Sequence, residues 1–204
     1  MSESTSTLYR IIEGRRSIRQ FDGSSIPPEL LQRILEAATR APSAHNRQPW
    51  RFVILVALED KRSLANALGE RLREDRLADG DEPGQIERDV AQSIARISNA
   101  PAVVIVCLSM EAMDVYPDER RNSAEYTMAV QSISMAAQNL LLAAHAEGLG
   151  ACWLCAPLFA KDIVREELSL PVGWEPQGLI ILGYPAEVGQ ERPRRPIEEV
   201  SLWR

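Results

Sequence analysis

The pattern of hydrophobic and polar positions predicts a chain with more helix than strand. Four short apolar runs predict strands, at residues 51–58, 102–108, 151–155 and 179–183. The first two runs are nearly continuous, and the first is typical of a strand that is covered on both faces. Helical spacing of apolar residues or polar amphipathic character predicts helices at 8–14, 27–41, 60–77, 84–98, 123–147 and 160–168. This order of elements indicates an α+β or α/β fold.

Four further features of the pattern concern a helix cap, a loop, the longest helix and the C-terminal segment. Ser6 or Thr7 is the expected cap of the first helix, and residues 79–84 are rich in turn formers and predict a mobile loop. The longest helical pattern, residues 123–147, is apolar on most sides and is therefore expected in the middle of a protein or of a dimer. Residues 189–204 are rich in Pro and Arg, which predicts an extended C-terminal arm.

Composition indicates an ordinary globular protein. The 204 residues are 45% hydrophobic and 25% charged, and we expect one domain over residues 1–204 whose arm is 189–204. No apolar stretch has the length of a membrane span, and residues 1–7 are polar with no signal-type stretch after them. Three cysteines form no even-numbered disulfide framework. These features predict a cytoplasmic protein with no membrane partner.

Charge is distributed unevenly along the chain. The net charge of −6 argues against a nucleic-acid partner. Arginines nevertheless cluster twice, near the start as Arg10, Arg15, Arg16 and Arg19 and near the end as Arg192, Arg194 and Arg195. An acidic protein that concentrates arginine in two places is expected to bind a particular anion there.

The first basic cluster, Arg15-Arg16-Ser17-Ile18-Arg19, follows a helix that ends at Gly14. Guanidinium groups donate hydrogen bonds in a planar fork and stay charged, so they suit phosphates and carboxylates. One interpretation is a phosphate cradle in which the Ser17 hydroxyl and backbone N–H groups orient the ligand. The alternative is a solvated basic turn that pairs with acidic residues elsewhere in the chain.

A second cluster lies in the loop before the first predicted strand. Ser43, Asn46 and Gln48 stand between Pro42 and Pro49-Trp50. Amide side chains can both donate and accept hydrogen bonds, as the edge of a planar heterocycle requires. The alternative is a polar loop in which Trp50 is a core anchor, and we expect that role for Trp50 in either case.

Other reactive residues fit known chemistries less well. Cys152 and Cys155 form a CxxC pattern, but in a strand alternation sends them to opposite faces, so we expect packing cysteines rather than a thiol-redox or metal site. His145 is expected to be a core or interface residue, whereas His45 lies in the polar loop. No Ser/His/Asp, Walker or GxGxxG pattern is found, which favours a cofactor that carries the chemistry.

The two clusters resemble the FMN-dependent nitroreductase family, and the similarity runs nearly from end to end. It includes the alanine-rich helix ending in Glu147-Gly148-Leu149-Gly150, the segment 151–157, the run 178–185 (GLIILGYP) and the arm 192–200. The part from Gln138 to Pro185 is also similar to the FMN domain of deazaflavin-coenzyme glutamate ligases. The resemblance implies a three-layer α/β/α fold with a small mixed sheet surrounded by helices.

The resemblance also implies a homodimer in which FMN lies between subunits. Arg15, Arg16, Ser17 and Arg19 would hold the phosphate and the pyrimidine edge, and Arg194 and Arg195 would complete the phosphate site. From the partner subunit, Pro42, Ser43 and Asn46 would reach the same flavin, with Gln48 in the same loop. The backbone of Leu154, Cys155 and Ala156 would face the central ring. Many family members have Glu-Gly where this chain has Cys155-Ala156, which puts the side-chain environment in question.

The expected activity is ping-pong hydride transfer by FMN. NAD(P)H or a reduced deazaflavin would be the donor, and a small aromatic or conjugated acceptor such as a nitroaromatic, quinone or enone would be reduced. Two alternatives stay open, a reductase of a deazaflavin coenzyme or its precursor and a flavin-binding protein without catalysis. No metal is expected. For the assembly, the alternative to an obligate homodimer is a monomer with a frayed tail.

Overall fold

The computed structural model of the chain describes residues 3–204 and has the expected α+β composition. The helices are α1 (Glu3–Gly14), α2 (Pro28–Thr39), α3 (Leu58–Ala78), α4 (Pro83–Ser98), α5 (Glu119–Ala146), α6 (Ala156–Phe159), α7 (Lys161–Glu167) and α8 (Ile197–Val200). The strands are β1 (Trp50–Leu55), β2 (Ala102–Ser109), β3 (Gly150–Leu154) and β4 (Trp174–Gly183). All four strands overlap the runs that the hydrophobic pattern predicts.

The strands form one sheet in the order β1-β2-β4-β3, and each neighbouring pair is antiparallel. Beside β3, Ser17 makes a parallel bridge to Ala151, and the Ile18 N–H donates to the Ala151 carbonyl at 3.1 Å. Within residues 3–204 this bridge is the one parallel pairing, so the sheet is mixed only at that edge. The first basic cluster therefore lies along the β3 edge.

Helices cover both faces of the sheet and give the expected three layers. Strand β2 is buried along its whole length, and its alternate side chains enter two different clusters. Val104 and Val106 pack with α2 and α5, whereas Val103 and Ile105 pack with α3, α4 and α7. A strand that packs on both faces reads as a continuous apolar run, which explains the pattern of residues 102–108.

Several expectations about the boundaries were wrong. Helix α1 begins at Glu3, so Ser6 and Thr7 lie inside it and do not cap it. Strand β1 lies at the edge of the sheet and pairs with β2 alone, and Ile54 is 37% exposed. Its two faces are nevertheless both covered as expected, because Trp50 packs in one core cluster and Leu55 in the other. Helix α5 begins four residues early because the Asp118 side chain accepts a hydrogen bond from the Arg121 N–H at 3.0 Å and caps it.

The outer surface keeps apolar side chains that the single chain does not cover. On α5, Met135 is 39% exposed, and on the arm Leu202 and Trp203 are 77% and 88% exposed. The arm is extended as predicted, except for the short helix α8. Among the described residues, no helix is long and apolar enough to cross a membrane.

Candidate functional site

A cavity of about 860 Å³ lies where three separate segments of the chain meet. The first segment contains the predicted cradle residues Arg15, Arg16, Ser17 and Arg19. The second is one face of α4, and the third is the start of the arm. From α4 and its C-cap, the cavity is lined by Gln92, Arg96 and Asn99. From the start of the arm and the residues just before it, the cavity is lined by Glu187, Gln190, Glu191, Arg192 and Arg194. The two basic clusters of the sequence thus come together in one chain.

The first segment is anchored to the sheet by a single buried residue. Ile18 is 6% exposed, whereas its neighbours Ser17 and Arg19 are exposed. Gly150 leaves room for it, because a Cβ at that position would lie 2.7 Å from Ile18 Cβ. The Ile18 backbone bond to β3 then holds the segment against the sheet, and polar residues on both sides of Ile18 line the cavity.

The arm reaches the cavity along the same segment. The Ala186 N–H donates to the Gln20 carbonyl at 3.0 Å, and the Asp22 N–H donates to the Tyr184 carbonyl at 3.0 Å. One oxygen of Glu187 accepts hydrogen bonds from the N–H groups of Arg19, at 2.8 Å, and Gln20, at 3.2 Å. These bonds bring the arm alongside the cradle in its own subunit.

Positive charge exceeds negative charge around the cavity. Six arginines line it, against the three glutamates Glu13, Glu187 and Glu191. Arg16 is held by the carbonyls of Glu13 and Arg15 and lies 3.7 Å from Glu191. In the part of the chain that the structure describes, the guanidinium groups of Arg15 and Arg96 make no hydrogen bond or ion pair. The cavity therefore offers charged donors that an anion can engage.

The residues around the cavity differ in part from those predicted. Arg192 and Arg194 line it, whereas Arg195 does not. Sequence reasoning missed Arg96, Gln92 and Asn99 altogether. Their spacing of three and four places them on one face of α4, and this regular polar face was the signal that could have identified them.

The second cluster is a tight loop with unusual backbone angles. His45, Asn46 and Gln48 all have positive φ, at 48°, 55° and 50°. Such angles are rare outside glycine and asparagine and are found where the surroundings impose them. Here the Gln48 N–H donates to Ser43 Oγ at 3.0 Å.

Two neighbouring elements also hold this loop. The Ala44 N–H donates to Ser132 Oγ of α5 at 3.3 Å, and Arg47 pairs with Asp114 at 2.6 Å. The side chains of His45, Asn46 and Gln48 remain exposed, and the Gln48 amide contacts Asn46 Oδ1 at 3.3 Å. The strained backbone therefore presents amides to the outside of the subunit.

The structure does not bring this loop to the arginine-lined cavity. Pro42, Ser43, Asn46 and Gln48 precede β1, and the cradle lies beyond β3 at the opposite edge of the sheet. Three strand spacings separate β1 from β3 and a fourth separates β3 from the Ser17 segment, so β1 and that segment are about 19 Å apart across the sheet. A ligand that contacts both clusters within one subunit would have to span the sheet.

The third predicted element, Leu154-Cys155-Ala156, joins β3 to α6 on the side of the sheet edge where the cradle lies. Trp153 Nε1 donates to Cys155 Sγ at 3.2 Å, and the Trp153 ring lies against Gly178, where a Cβ would be only 2.2 Å away. The Ala156 N–H is at the first position of α6 and has no intrahelical acceptor. The packed Trp153 ring therefore supports the loop, and the Ala156 N–H has no acceptor within its own helix.

The thiols and His145 occupy different environments. Cys155 is exposed, whereas Cys107 and Cys152 are buried and all three are free, so the CxxC pattern is no disulfide here. Burial raises the pKa of the Cys107 thiol to about 12 and also raises the pKa of Cys152. His145 is half-buried, and burial together with Arg15 and Arg16 lowers its pKa. Within residues 3–204 no His, Cys, Asp and Glu cluster could hold a metal ion.

Comparison with known proteins agrees with this fold. The nitroreductase family model matches residues 12–184, and the chain belongs to the nitroreductase family. It is 31% identical to an NADH dehydrogenase of Thermus thermophilus, over 93% of this chain and 92% of that protein.

Solved structures give the same result. A protein of Desulfovibrio desulfuricans assigned as a nitroreductase, in complex with FMN, is 29% identical with a TM-score of 0.74, over 97% of this chain and 96% of that one. The FMN-dependent nitroreductase of Mycobacterium smegmatis, in complex with NADPH, has a TM-score of 0.76 over 99% and 100% of the chains. At 22% identity, the latter supports the fold alone.

Proposed function

We propose that the protein is an FMN-dependent oxidoreductase that transfers hydride from a reduced nicotinamide to an electron-poor acceptor. The observation that carries the proposal is the cavity of about 860 Å³ with six arginines, which lies within the usual size range of ligand pockets. The relatives support it, since one is named an NADH dehydrogenase and one structure was obtained with FMN.

The donors that line the cavity fit the phosphate end of FMN. A phosphate needs several strong donors, and the guanidinium groups of Arg15, Arg16 and Arg96 come from two walls of the cavity, with Arg192 and Arg194 from the third. Ser17 adds a hydroxyl, and Gln92 adds an amide. Arg19 lies further along the same segment, where it would reach the pyrimidine edge. Arg195 takes no part in the proposed site.

The ring end of the site requires a second subunit. Pro42, Ser43, Asn46 and Gln48 precede β1, which lies at the opposite edge of the sheet from the cradle of their own chain. They would therefore contact the flavin of a partner subunit. The exposed apolar residues of α5 and the arm, Met135, Leu202 and Trp203, support a homodimer in which these surfaces are covered.

The residues of the chain would bind and orient rather than move protons. When bound, FMN would supply the hydride-transfer chemistry between donor and acceptor. The backbone of Leu154, Cys155 and Ala156 would lie against the central ring, with the Ala156 N–H as a donor toward it. The exposed Cys155 thiol would border the space above the ring and influence which acceptor fits.

The donor and acceptor can be identified by anaerobic stopped-flow measurements. Protein saturated with FMN is mixed with NADH, NADPH or a reduced deazaflavin, and bleaching of the flavin is followed. Reoxidation is then measured with a nitroaromatic, a quinone and an enone. We expect a reduced nicotinamide to bleach the flavin. We also expect the acceptor to reoxidise it after the oxidised nicotinamide has left, so that donor and acceptor are never bound together.

Three other results would change the proposal. Bleaching by the deazaflavin alone would favour the alternative of a reductase that acts on a deazaflavin coenzyme or its precursor. A flavin that no donor bleaches would favour a binding protein without catalysis. A colourless protein that acquires no flavin spectrum when FMN is added would contradict the proposal as a whole.

A further inference from the structure

Resting on the proposed function, we propose that Glu187 and Gly189 form a latch that holds the arm in place and thereby gives the site its preference for a phosphorylated flavin. Neither residue touches the phosphate in this proposal. They act through Arg192 and Arg194, which the latch delivers to the cavity, so both are positioning residues.

The Glu187 carboxylate is bound to backbone rather than to arginine. Its Oε1 accepts from two successive N–H groups, those of Arg19 at 2.8 Å and Gln20 at 3.2 Å. Its side chain is surrounded by a strongly basic cavity, yet no arginine lies within ion-pair distance of it. A charged acceptor on two backbone donors is a stronger contact than a neutral hydrogen bond. The contact therefore ties residue 187 to residues 19–20, which are 168 and 167 positions away in sequence.

Gly189 brings the arm into direct contact with the cradle. A Cβ at this position would lie 2.3 Å from Arg16 Cβ and 2.7 Å from Ile18 Cδ1. Both neighbours are fixed, since Ile18 is buried and Arg16 is held by two carbonyls. Only glycine therefore lets the backbone pass this close to the first basic cluster.

Beyond the latch the arm has little support of its own. Residues 190–200 are all exposed, and among the described residues the Arg194 side chain bonds only the carbonyls of Arg192 and Pro193. Without residues 187–189 the arm would have to be ordered when the ligand binds, at an entropic cost. With the latch, Arg192 and Arg194 are already beside Arg15 and Arg16. The latch should therefore increase the affinity for a flavin that carries a phosphate, because phosphate is the group that these arginines would bind.

The test compares the affinities of FMN and riboflavin for variants of the full-length protein. We expect Glu187→Ala and Gly189→Ala each to weaken FMN about tenfold and to leave riboflavin within about twofold. Glu187→Gln keeps the acceptor oxygen and should lose only about threefold. The matched control is Glu198→Ala, an exposed glutamate further along the arm, which should change neither affinity.

A double-mutant cycle separates positioning from a general loss of structure. If Glu187 acts through the arm arginines, Glu187→Ala should have no further effect in the Arg192→Ala/Arg194→Ala background. Additive losses would overturn the proposal, as would equal losses for FMN and riboflavin. Tighter FMN binding by Glu187→Ala would also overturn it, because the carboxylate would then be a competitor of the phosphate.

Hydrogen exchange of the flavin-free protein tests the latch independently of the proposed function. In Glu187→Ala we expect faster amide exchange over residues 19–22 and 184–191, with the rest of the chain unchanged. Unchanged exchange in these segments would contradict the latch even if FMN binds. Conversely, wild-type protein that binds no FMN would contradict the proposed function, while the exchange result would still decide whether the latch exists.

Discussion

The two polar clusters are built in opposite ways. The cradle residues form one wall of a cavity that two other, distant segments complete, and Arg15, Arg96 and Arg192 line it from the three sides. The loop 42–48 is made of consecutive residues, is strained at His45, Asn46 and Gln48, and points its amides outward. The first cluster lines a cavity together with other parts of its own chain, whereas the second lies exposed at the opposite edge of the sheet. Under the proposed function, the phosphate end of the site would belong to one subunit and the ring end would need a second.

The largest effect is expected at the cradle. Arg15→Ala and Arg96→Ala each remove a guanidinium that has no partner in the described structure, so little else should change. A hydrogen bond to a charged group contributes about 1.5–3 kcal/mol, so FMN should bind about 10–150 times more weakly. Riboflavin, which has no phosphate, should be affected much less. Fluorescence titration with both ligands checks this, and an equal loss for both would place these arginines away from the phosphate.

Two truncations separate the parts of the arm. Removal of 196–204 takes away Leu202 and Trp203 but keeps Arg192 and Arg194. The dissociation constant of the dimer should therefore rise about tenfold, while the preference for FMN over riboflavin persists. Removal of 190–204 should lower both dimer fraction and flavin content. Analytical ultracentrifugation and absorbance measure the two quantities. A 190–204 deletion that stays dimeric and fully yellow would show that the arm serves neither purpose.

The next prediction concerns the flavin content of a heterodimer made of two different defective subunits, which should be about half that of the wild type. In a heterodimer of an Arg15→Ala subunit and an Asn46→Ala subunit, a shared site predicts one site with both defects and one intact site. The isolated heterodimer should therefore bind about half the flavin of wild type at an FMN concentration where both parents bind little. If both clusters served the flavin of their own subunit, no intact site would form and flavin content would stay at the parental level.

The smallest effect concerns Cys155. Because its expected contribution is through the backbone, Cys155→Ala should change FMN affinity by less than about threefold. The thiol itself should react quickly with a disulfide reagent in flavin-free protein and slowly once FMN is bound. Cys107 is the internal control, since its pKa of about 12 keeps it un-ionised and it is buried. Flavin that gives no protection would place the ring away from this loop.

Patterns along the sequence predicted the elements well where burial is simple. Strand β2 was recognised because a doubly covered strand is a continuous apolar run. Helix α5 was recognised from its long helical pattern, although Gln131, Ser134 and Met135 leave one side of it exposed. The edge position of β1 was missed, because an apolar run does not say how many neighbours a strand has. The first basic cluster was recognised because its residues are consecutive, so local sequence was enough.

The rest of the site depends on contacts that no local pattern encodes. The polar face of α4 is visible in the sequence, but only the fold shows that its Arg96 lies beside the first basic cluster. The choice of Arg192 over Arg195 follows from the path of the arm, which Glu187 sets through residues 19–20. The positive φ angles of His45 and Gln48 arise from Ser43 and Ser132, and the second of these is 88 residues from Ala44, to which it bonds.

The pairing of residues 20–22 with residues 184–186 has a consequence for how the protein is made. A chain emerges from the ribosome with its N-terminus first, so Arg15 and Arg19 are available long before the strand and arm that complete their surroundings. The Ser17 contact has to wait for Ala151, and the Glu187 contact has to wait until residue 187 has been made. A ligand that needs all three walls of this cavity would therefore be bound only after residues 187–194 have left the ribosome.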